Sequence, residues 1–524
     1  MTLALLTHNF IKEIVEEIKK GNIKNKDELL IFKKRLAKKY RLKKIPTDAE
    51  ILSAARDDDV KAILTRKPIR TISGVAVVAV MTSPHPCPHG RCVPCPGGPP
   101  FSPQSYTGRE PAAMRASRNK FDPYLQTLER VKQLEIVGHS TDKIDVIVMG
   151  GTFPARQPAY QEWFVKRIYD ALNGSVSSGI EEAKKKNETA RHRCIGLTIE
   201  TRPDWCGLQH VDEMLKLGAT RVEIGAQILN DEVLYEMKRG HTAVDTIIAT
   251  RIAKDAGLKV AYHIMPGLPG SNFEKDMESF KKMFRDERFR PDMLKIYPTL
   301  VVKSSTLYEM WKRGEYKPLE EEEAIELIAE MKKYVPEWVR IQRIERDIPS
   351  NLIDAGIKKS NLRQLVKKRM NEKGLQCRCI RCREIGHKWY KHGIKTKELE
   401  IVRREYMASN GKEIFISFED TENDVIAAYC RLRIPYKPHR HEAEGKVAIV
   451  RELKVHGPVV RIGEKPHEEW QHRGLGKVLM EEAENIATRF KRERILVLSG
   501  VGAKEYYRKL GYVENGIYME KMLS

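Results

Sequence analysis

Six of the nine cysteines fall in two tight groups, Cys87, Cys92 and Cys95 in one and Cys377, Cys379 and Cys382 in the other. Thiols crowded at short, uneven spacing point to metal rather than to paired disulfides. The segment Cys87-Pro-His-Gly-Arg-Cys92-Val-Pro-Cys95 supplies three thiolates. Three thiolates hold three irons of a 4Fe–4S cluster and leave the fourth iron open to a small ligand. The alternative is structural zinc, with His85 or His89 closing the fourth position. The segment follows an apolar run that reads as the first strand of a barrel, where substrates gather, and this favours iron. The second group, Cys377-Arg-Cys379-Ile-Arg-Cys382, fits a structural zinc with His387 or His392 as fourth ligand. A second iron–sulfur cluster and free thiols are the other readings.

A third chemical signal lies near the C-terminus, in Gln471-His-Arg-Gly-Leu-Gly476-Lys at the start of a helix expected over 474–490. Glycines at a helix N-terminus let several N–H groups converge on a phosphate, and the helix dipole adds to the attraction. The motif sits between an apolar strand at 447–455 and Ser499-Gly-Val-Gly-Ala-Lys-Glu-Tyr506-Tyr507, which makes it more than a simple turn.

The elements that must carry these groups are readable from periodicity. Apolar runs at 74–81, 144–149, 194–199, 221–226, 259–265 and 293–297 alternate with amphipathic helical stretches, as in parallel βαβ units. They predict a complete or partial (β/α) barrel over 71–345, ending near Arg340 to Ile344. Residues 398–524 read as a separate α+β domain with strands at 413–418, 425–434, 446–455 and 494–498. The fold class expected is thus multidomain α/β. Residues 1–70, with 18 basic and 10 acidic residues, read as a basic helical region; 346–397 is a basic linker around the second cysteine group. Over the whole chain Lys and Arg number 94 against 72 acids, a formal charge of +22 that attracts polyanions, nucleic acid first among them. No run of apolar residues is long enough to span a bilayer, and the N-terminus lacks a secretory pattern, so a cytoplasmic protein is expected.

From about residue 75 onward these motifs resemble the catalytic subunit of Elongator in its archaeal and bacterial forms. Its cysteine spacing is four then two, where radical S-adenosylmethionine (SAM) enzymes generally have three then two. The likeness continues through Gln104-Ser-Tyr-Thr-Gly-Arg-Glu-Pro, Met149-Gly-Gly-Thr-Phe153, Ile199-Glu-Thr-Arg-Pro-Asp204, Arg239-Gly-His241 and Lys295-Ile-Tyr-Pro-Thr-Leu300. The resemblance implies a radical SAM partial barrel followed by a GNAT acetyltransferase domain. It implies that Cys87, Cys92 and Cys95 hold the iron–sulfur cluster, that Gly150 and Gly151 approach SAM, and that Glu200 holds its ribose or a base. Lys295 is expected to point into the same mouth, with an ion pair to Glu200 or Glu223 as its plainer role. In the second domain, Glu452, Leu453, Lys454 and Val455 are expected to line pantetheine, and Leu475, Gly476 and Lys477 to bind pyrophosphate. Tyr507 is expected to protonate the departing thiolate, and Lys143 to touch CoA from the barrel side. Either of Tyr506 and Tyr507 could face the core. Arg363, Lys367, Lys368, Arg369 and Lys373, with the N-terminal helices, are expected to make a track for an RNA backbone, the second cysteine group to staple the linker and hold Arg378, Arg381 and Arg383 outward, and Tyr297 or Phe153 to stack on a base.

The activity implied is formation of 5-carboxymethyluridine at uridine 34 of tRNA, bound through its anticodon stem-loop, from acetyl-CoA. A protein lysine acetyltransferase with Glu452 as base, and a non-catalytic tRNA-binding subunit that senses acetyl-CoA, are the competing readings. Whether the chain forms a homodimer or needs accessory subunits is not readable.

Overall fold

The computed structural model describes residues 3–42, 45–55, 60, 63–64, 71–394, 398–457 and 474–523. Its centre is a sheet of seven parallel strands in sequential order: β1 (Ala76–Met81), β2 (Lys143–Met149), β3 (Arg193–Thr201), β4 (Arg221–Gln227), β5 (Lys259–Ile264), β6 (Met293–Ile296) and β7 (Arg340–Ile344). Seven strands curl into a partial barrel. Alternate residues face opposite sides of a strand, and here the two sides differ in kind. Val146, Val148, Val222, Ile224, Val260 and Ile341 point outward and pack with the crossover helices through residues such as Phe164, Ile168, Leu215 and Phe280. The inward set includes Asp145, Arg221, Glu223, His263, Lys295 and Gln342, so the interior is polar.

The second sheet runs β13-β14-β12-β11-β10-β9-β8, with β8 (Glu400–Ala408), β9 (Gly411–Asp420), β10 (Val425–Ile434), β11 (Val447–Val455), β12 (Arg494–Val497), β13 (Val513–Asn515) and β14 (Tyr518–Met522). The helix Leu475–Arg489 covers one face through Leu479, Met480, Ala483 and Ile486. The charged alternation of β8 hid it from a reading by apolar runs. At the N-terminus, helices Leu3–Lys19, Lys26–Lys39 and Asp48–Ala55 build a small core of their own from Phe10, Ile14, Leu29, Phe32, Leu36 and Ile51. Asn25 caps the second of these helices by accepting from the N–H groups of Asp27 and Glu28.

The second sheet is seated against the N-terminal ends of the barrel strands by a cluster of buried charges. Arg451 donates to Asp292 Oδ1 (2.6 Å) and Oδ2 (2.8 Å) and to Glu413 Oε2 (2.8 Å). Lys254 lies 3.2 Å from Asp292, and Arg433 joins Glu413 (2.9 Å) to Asp255 (2.6 Å). Arg451 is the extra residue of a bulge in β11, between the pairs Arg431↔Glu452 and Leu432↔Val450. The bulge re-aims its side chain toward the barrel. Asp292 opens β6, and its Oδ2 also accepts from the Val260 N–H. Burial alone would raise Asp292 and Glu413, but Arg451 and Lys254 hold both below their ordinary range.

Removing one member of a buried ion cluster leaves the others uncompensated, at a cost of about 3–5 kcal/mol. Arg451→Met should therefore lower the unfolding free energy from urea titration by that order, with a lower midpoint; an unchanged midpoint would show that the cluster does not join the domains. Depressed carboxyl groups contribute stability that is present above about pH 4 and is lost as the pH falls through their folded values. Acid titration of the wild type, followed by near-ultraviolet dichroism, should show interdomain packing failing in that window, and Arg451→Met failing at higher pH.

Candidate active site

The loop after β1 carries Cys87, Cys92 and Cys95, all buried. Each sulfur has a polar neighbour: Thr152 Oγ1 stands 3.6 Å from Cys87, Gln104 Nε2 2.9 Å from Cys95, and His89 Nε2 3.0 Å from Cys92. Arg239 Nη1 lies 3.6 Å from Cys92 as well. Burial, with Arg202 and Arg239 close by, lowers the His89 ring to about 4, so it is neutral at pH 7. In its Nε2–H tautomer His89 donates to this sulfur. The three sulfurs do not converge within 4.8 Å of one another, whereas those of Cys377, Cys379 and Cys382 do. Wide spacing suits a cluster that spreads its ligands over several irons rather than a single ion. The donor set fits the iron–sulfur group.

Gly150 and Gly151 close β2 beside these thiols with φ of +153° and +77°. A Cβ on Gly150 would overlap Thr82 Oγ1, and one on Gly151 would lie 2.9 Å from the Gln104 carbonyl and 3.6 Å from Cys87 Sγ. Only glycine fits this approach. Glu200, near the end of β3, is buried and accepts from the Tyr106 hydroxyl at 2.6 Å. Lys295 is ion-paired with Glu223, which also takes a bond from His263 Nε2 at 2.9 Å. The plainer expectation for Lys295 thus holds with Glu223, and no direct contact joins it to Glu200. Phe153 is fully buried against Phe164 and belongs to the core, while Tyr297 lines the interior edge-on to His263. Gln104 and Tyr106 carry no role in the sequence reading although both sit inside a quoted motif, and Glu223 enters it only as a counter-charge for Lys295.

In the second sheet, β11 pairs with β12 only from Val447 to Val450 but stays on β10 to Val455. Over residues 451–454 no strand among the described residues pairs with its other edge, so β11 and β12 splay apart there. Gly474 (φ +81°) caps the helix Leu475–Arg489, whose first residues are Leu475, Gly476 and Lys477. Residues 471–473 of the motif lie outside the described residues. Leu453 and Val455 pack toward this helix, whereas Glu452 and Lys454 face the barrel. Glu452 accepts from Arg431 at 2.8 Å. Burial would raise its carboxyl, but Arg431, Lys259 and Lys454 bring it down to about 2. Of the two tyrosines, Tyr507 is the buried one, edge-on to Tyr506 and Tyr512 in the core. Tyr506 is 39% exposed and holds its hydroxyl 2.7 Å from where a Gly476 Cβ would lie. The tyrosine placed over the helix start is therefore Tyr506. Lys143 opens β2 beside Arg193, the residue against which Gly502 packs, so it sits at the seam between the sheets.

One cavity of about 750 Å³ joins these parts, running from Cys87, Cys92 and Cys95 through Glu200, Glu223 and Lys295 to Glu452 and Lys454. The linker differs from expectation. Arg383 is fully buried, paired with Glu419 and with Asp424 (2.8 Å). Arg378 pairs with Glu337 and Asp424, Arg369 with Glu322 and Glu326, and Lys373 with Glu326 and Glu330. Arg363 is folded in beside the three linker thiols. Arg363 and Arg383 are thus turned inward, whereas Lys367, Lys368, Lys373 and Arg378 remain exposed, the last two alongside carboxylates. His387 stands 3.8 Å from Glu384, apart from the cysteines; the side chain of His392 is outside the described residues.

Comparison with known proteins agrees with this architecture. Residues 84–283 match the Radical SAM superfamily, 291–372 the Radical SAM C-terminal domain, 7–72 the ELP3 N-terminal domain and 381–512 the Acetyltransferase (GNAT) family. The chain is 54% identical over 525 residues to the tRNA uridine(34) acetyltransferase of Methanocaldococcus infernus, covering 98% of each chain. It is 44% identical to Elongator complex protein 3 of Homo sapiens, covering 99% of this chain and 97% of that one. The solved archaeal Methanocaldococcus infernus Elp3 with an N-terminal deletion superposes with a TM-score of 0.78 at 53% identity, over 86% of this chain and all of that one. The chain belongs to the family of the Elongator catalytic subunit, in which a radical SAM barrel and a GNAT domain share one polypeptide.

Proposed function

We propose that this chain is a tRNA-modifying enzyme that builds 5-carboxymethyluridine at the wobble uridine, position 34, from acetyl-CoA. The observation that carries the reading is the cavity common to the three barrel cysteines and to the acyl side of the second sheet. Uridine C5 bears no acidic proton and an acetyl methyl is a poor nucleophile, so joining them calls for a carbon radical. An iron–sulfur cluster on Cys87, Cys92 and Cys95, with SAM, supplies one when bound. Gly150 and Gly151 leave room for the methionine end of SAM, and Glu200, steadied by Tyr106, accepts hydroxyl or base donors. Both domains contribute to the walls of the interior, and SAM and the uridine at its mouth would keep water from a reactive carbon. Lys295 balances Glu223 within it.

On the other side, β11 from Glu452 to Val455 offers backbone groups to pantetheine, and Leu475, Gly476 and Lys477 offer N–H groups to pyrophosphate. Lys143 reaches CoA from the barrel edge, and Tyr506 or Tyr507 returns a proton to the departing thiolate. Lysine acetylation draws no support: Glu452 is tied to Arg431 and ionised to about pH 2, a poor base, and it faces the barrel rather than an open groove. The basic N-terminal helices contact the tRNA backbone, since phosphate contacts position without specifying. The anticodon base splays into the barrel mouth. Cys377, Cys379 and Cys382, mutually within 4.8 Å, hold a structural zinc that braces the linker. The enzyme works in the cytoplasm, on tRNA; no helix among the described residues is long and apolar enough to cross a membrane.

Anaerobically reconstituted protein, given unmodified tRNA, acetyl-CoA and SAM, should yield carboxymethyluridine in digested nucleosides, and Cys92→Ala should abolish it. Product from that variant, or lysine acetylation instead, would overturn the proposal. Elemental analysis should find zinc in addition to iron. Cys379→Ser should lose the zinc and keep the iron; the reverse outcome would exchange the two assignments.

A further inference from the structure

The barrel interior holds more unpaired polar chemistry than its own side chains satisfy. Asp145 Oδ1, Gln227 Oε1, Gln342 Oε1 and Arg340 Nη1 are buried and have no hydrogen-bond partner among the described residues, and all four residues line the cavity. Glu223, 1% exposed, has an Oε1 in the same condition, with only the longer contact to Arg221 at 3.7 Å. Leaving buried polar atoms unpaired is costly, and interiors of complete barrels avoid it by filling with branched apolar side chains. Here the unpaired atoms include acceptors and a donor, spaced along the lumen. They form a receptor for a ligand that carries both N–H and C=O groups.

The position of the second sheet says from which end such a ligand comes. The lower lumen is bounded by Asp145, Arg221 and Arg340 from the barrel and by Glu452 and Lys454 from β11. Arg221 and Gln227, at the two ends of β4, are six residues apart, or ~20 Å at ~3.3 Å per residue. That depth separates the floor from the cysteine-bearing mouth. On the floor side, β11 brings Glu452 and Lys454 to the lumen from the stretch beyond its last pair with β12.

We propose that the acyl end of acetyl-CoA leaves the β11 edge through the barrel floor and docks in the lower lumen, delivering the acetyl group to the barrel from below. The inference rests on the assignment of the second sheet as the acetyl-CoA site and adds the place where the acetyl group is read. Asp145 Oδ1 and Gln342 Oε1 accept from the amide N–H groups of the arm. Arg340 Nη1 and Lys454 Nζ donate to its carbonyls, the thioester oxygen included. Val77, Ala79, Ile147 and Met293 supply the apolar part of the wall, in keeping with a short acyl chain. The mouth stays free for SAM and the uridine.

The test uses cluster-loaded full-length protein and bromoacetyl-CoA, which carries a leaving group on the acetyl methyl. Thiols are placed in the floor and middle of the lumen by two separate substitutions, Met293→Cys and Ile147→Cys. The engineered thiolate displaces bromide, forming a C–S bond and releasing bromide, with the thiol proton passing to buffer. Peptide mass mapping should find the adduct on the introduced thiol of either variant, with a rate that saturates in reagent, falls at least tenfold with excess acetyl-CoA, and exceeds that for bromoacetamide at equal concentration. Equal, non-saturating rates with both reagents would show unspecific access with no docking site for the acyl arm, overturning the proposal. Saturable bromoacetyl-CoA labelling confined to native residues of the second sheet, such as Cys430, would overturn the docking and leave the acetyl-CoA assignment standing. No saturable binding of bromoacetyl-CoA to wild type or variants would overturn both. Circular dichroism and retained iron content identify any variant that fails to fold, and the two positions report independently.

Discussion

The arrangement depends on a few charges removed from water at the base of the barrel. Arg451 spans Asp292 and Glu413, Lys254 stands against the same two acids, and Arg433 carries the chain of contacts to Asp255. Isolated, each ion would cost more in lost hydration than its Coulomb energy returns. Together, with Asp292 also accepting from a strand N–H and Arg451 donating to the Leu258 carbonyl, nearly every lone pair and proton is used. Such a cluster tolerates little rotation or slippage. It therefore sets not only that the sheets touch but which face of β11 meets the barrel.

That orientation decides what the second domain can do. The face of β11 carrying Glu452 and Lys454 looks into a polar lumen, and the opposite face, with Leu453 and Val455, closes on its helix. A sheet of seven strands leaves a void that a full ring would fill, and the inward residues of β2, β4, β6 and β7 line it with polar groups. The two chemistries are neighbours through the interior of the protein, not across its surface.

Local order was legible in the residues; long-range charge matching was not. The spacing of Cys87, Cys92 and Cys95 pointed to a metal, and Gly150 with Gly151 marked a close approach that the backbone angles require. All six expected barrel strands form, because alternate apolar residues on each pack outward on helices. Arg451 and Asp292, by contrast, are 159 residues apart, and nothing in either neighbourhood announces the other. The linker shows the same limit: Arg369, Lys373, Arg378 and Arg383 read as a basic run, and only folding brings alongside the acids that pair with them and buries Arg383. Tyr506 and Tyr507 are adjacent on a short helix, and only the packing of Tyr507 on Tyr512 decides which is buried.

Internal pairing in the linker also changes how the formal charge of +22 should be understood. A cation held by a neighbouring carboxylate displaces few counterions when a polyphosphate arrives. The steepness with which RNA affinity falls as salt is added counts displaced counterions. That slope will reflect a short stretch of contact, not the whole lysine and arginine content. A strongly basic protein can in this way hold a polyanion with modest sensitivity to ionic strength.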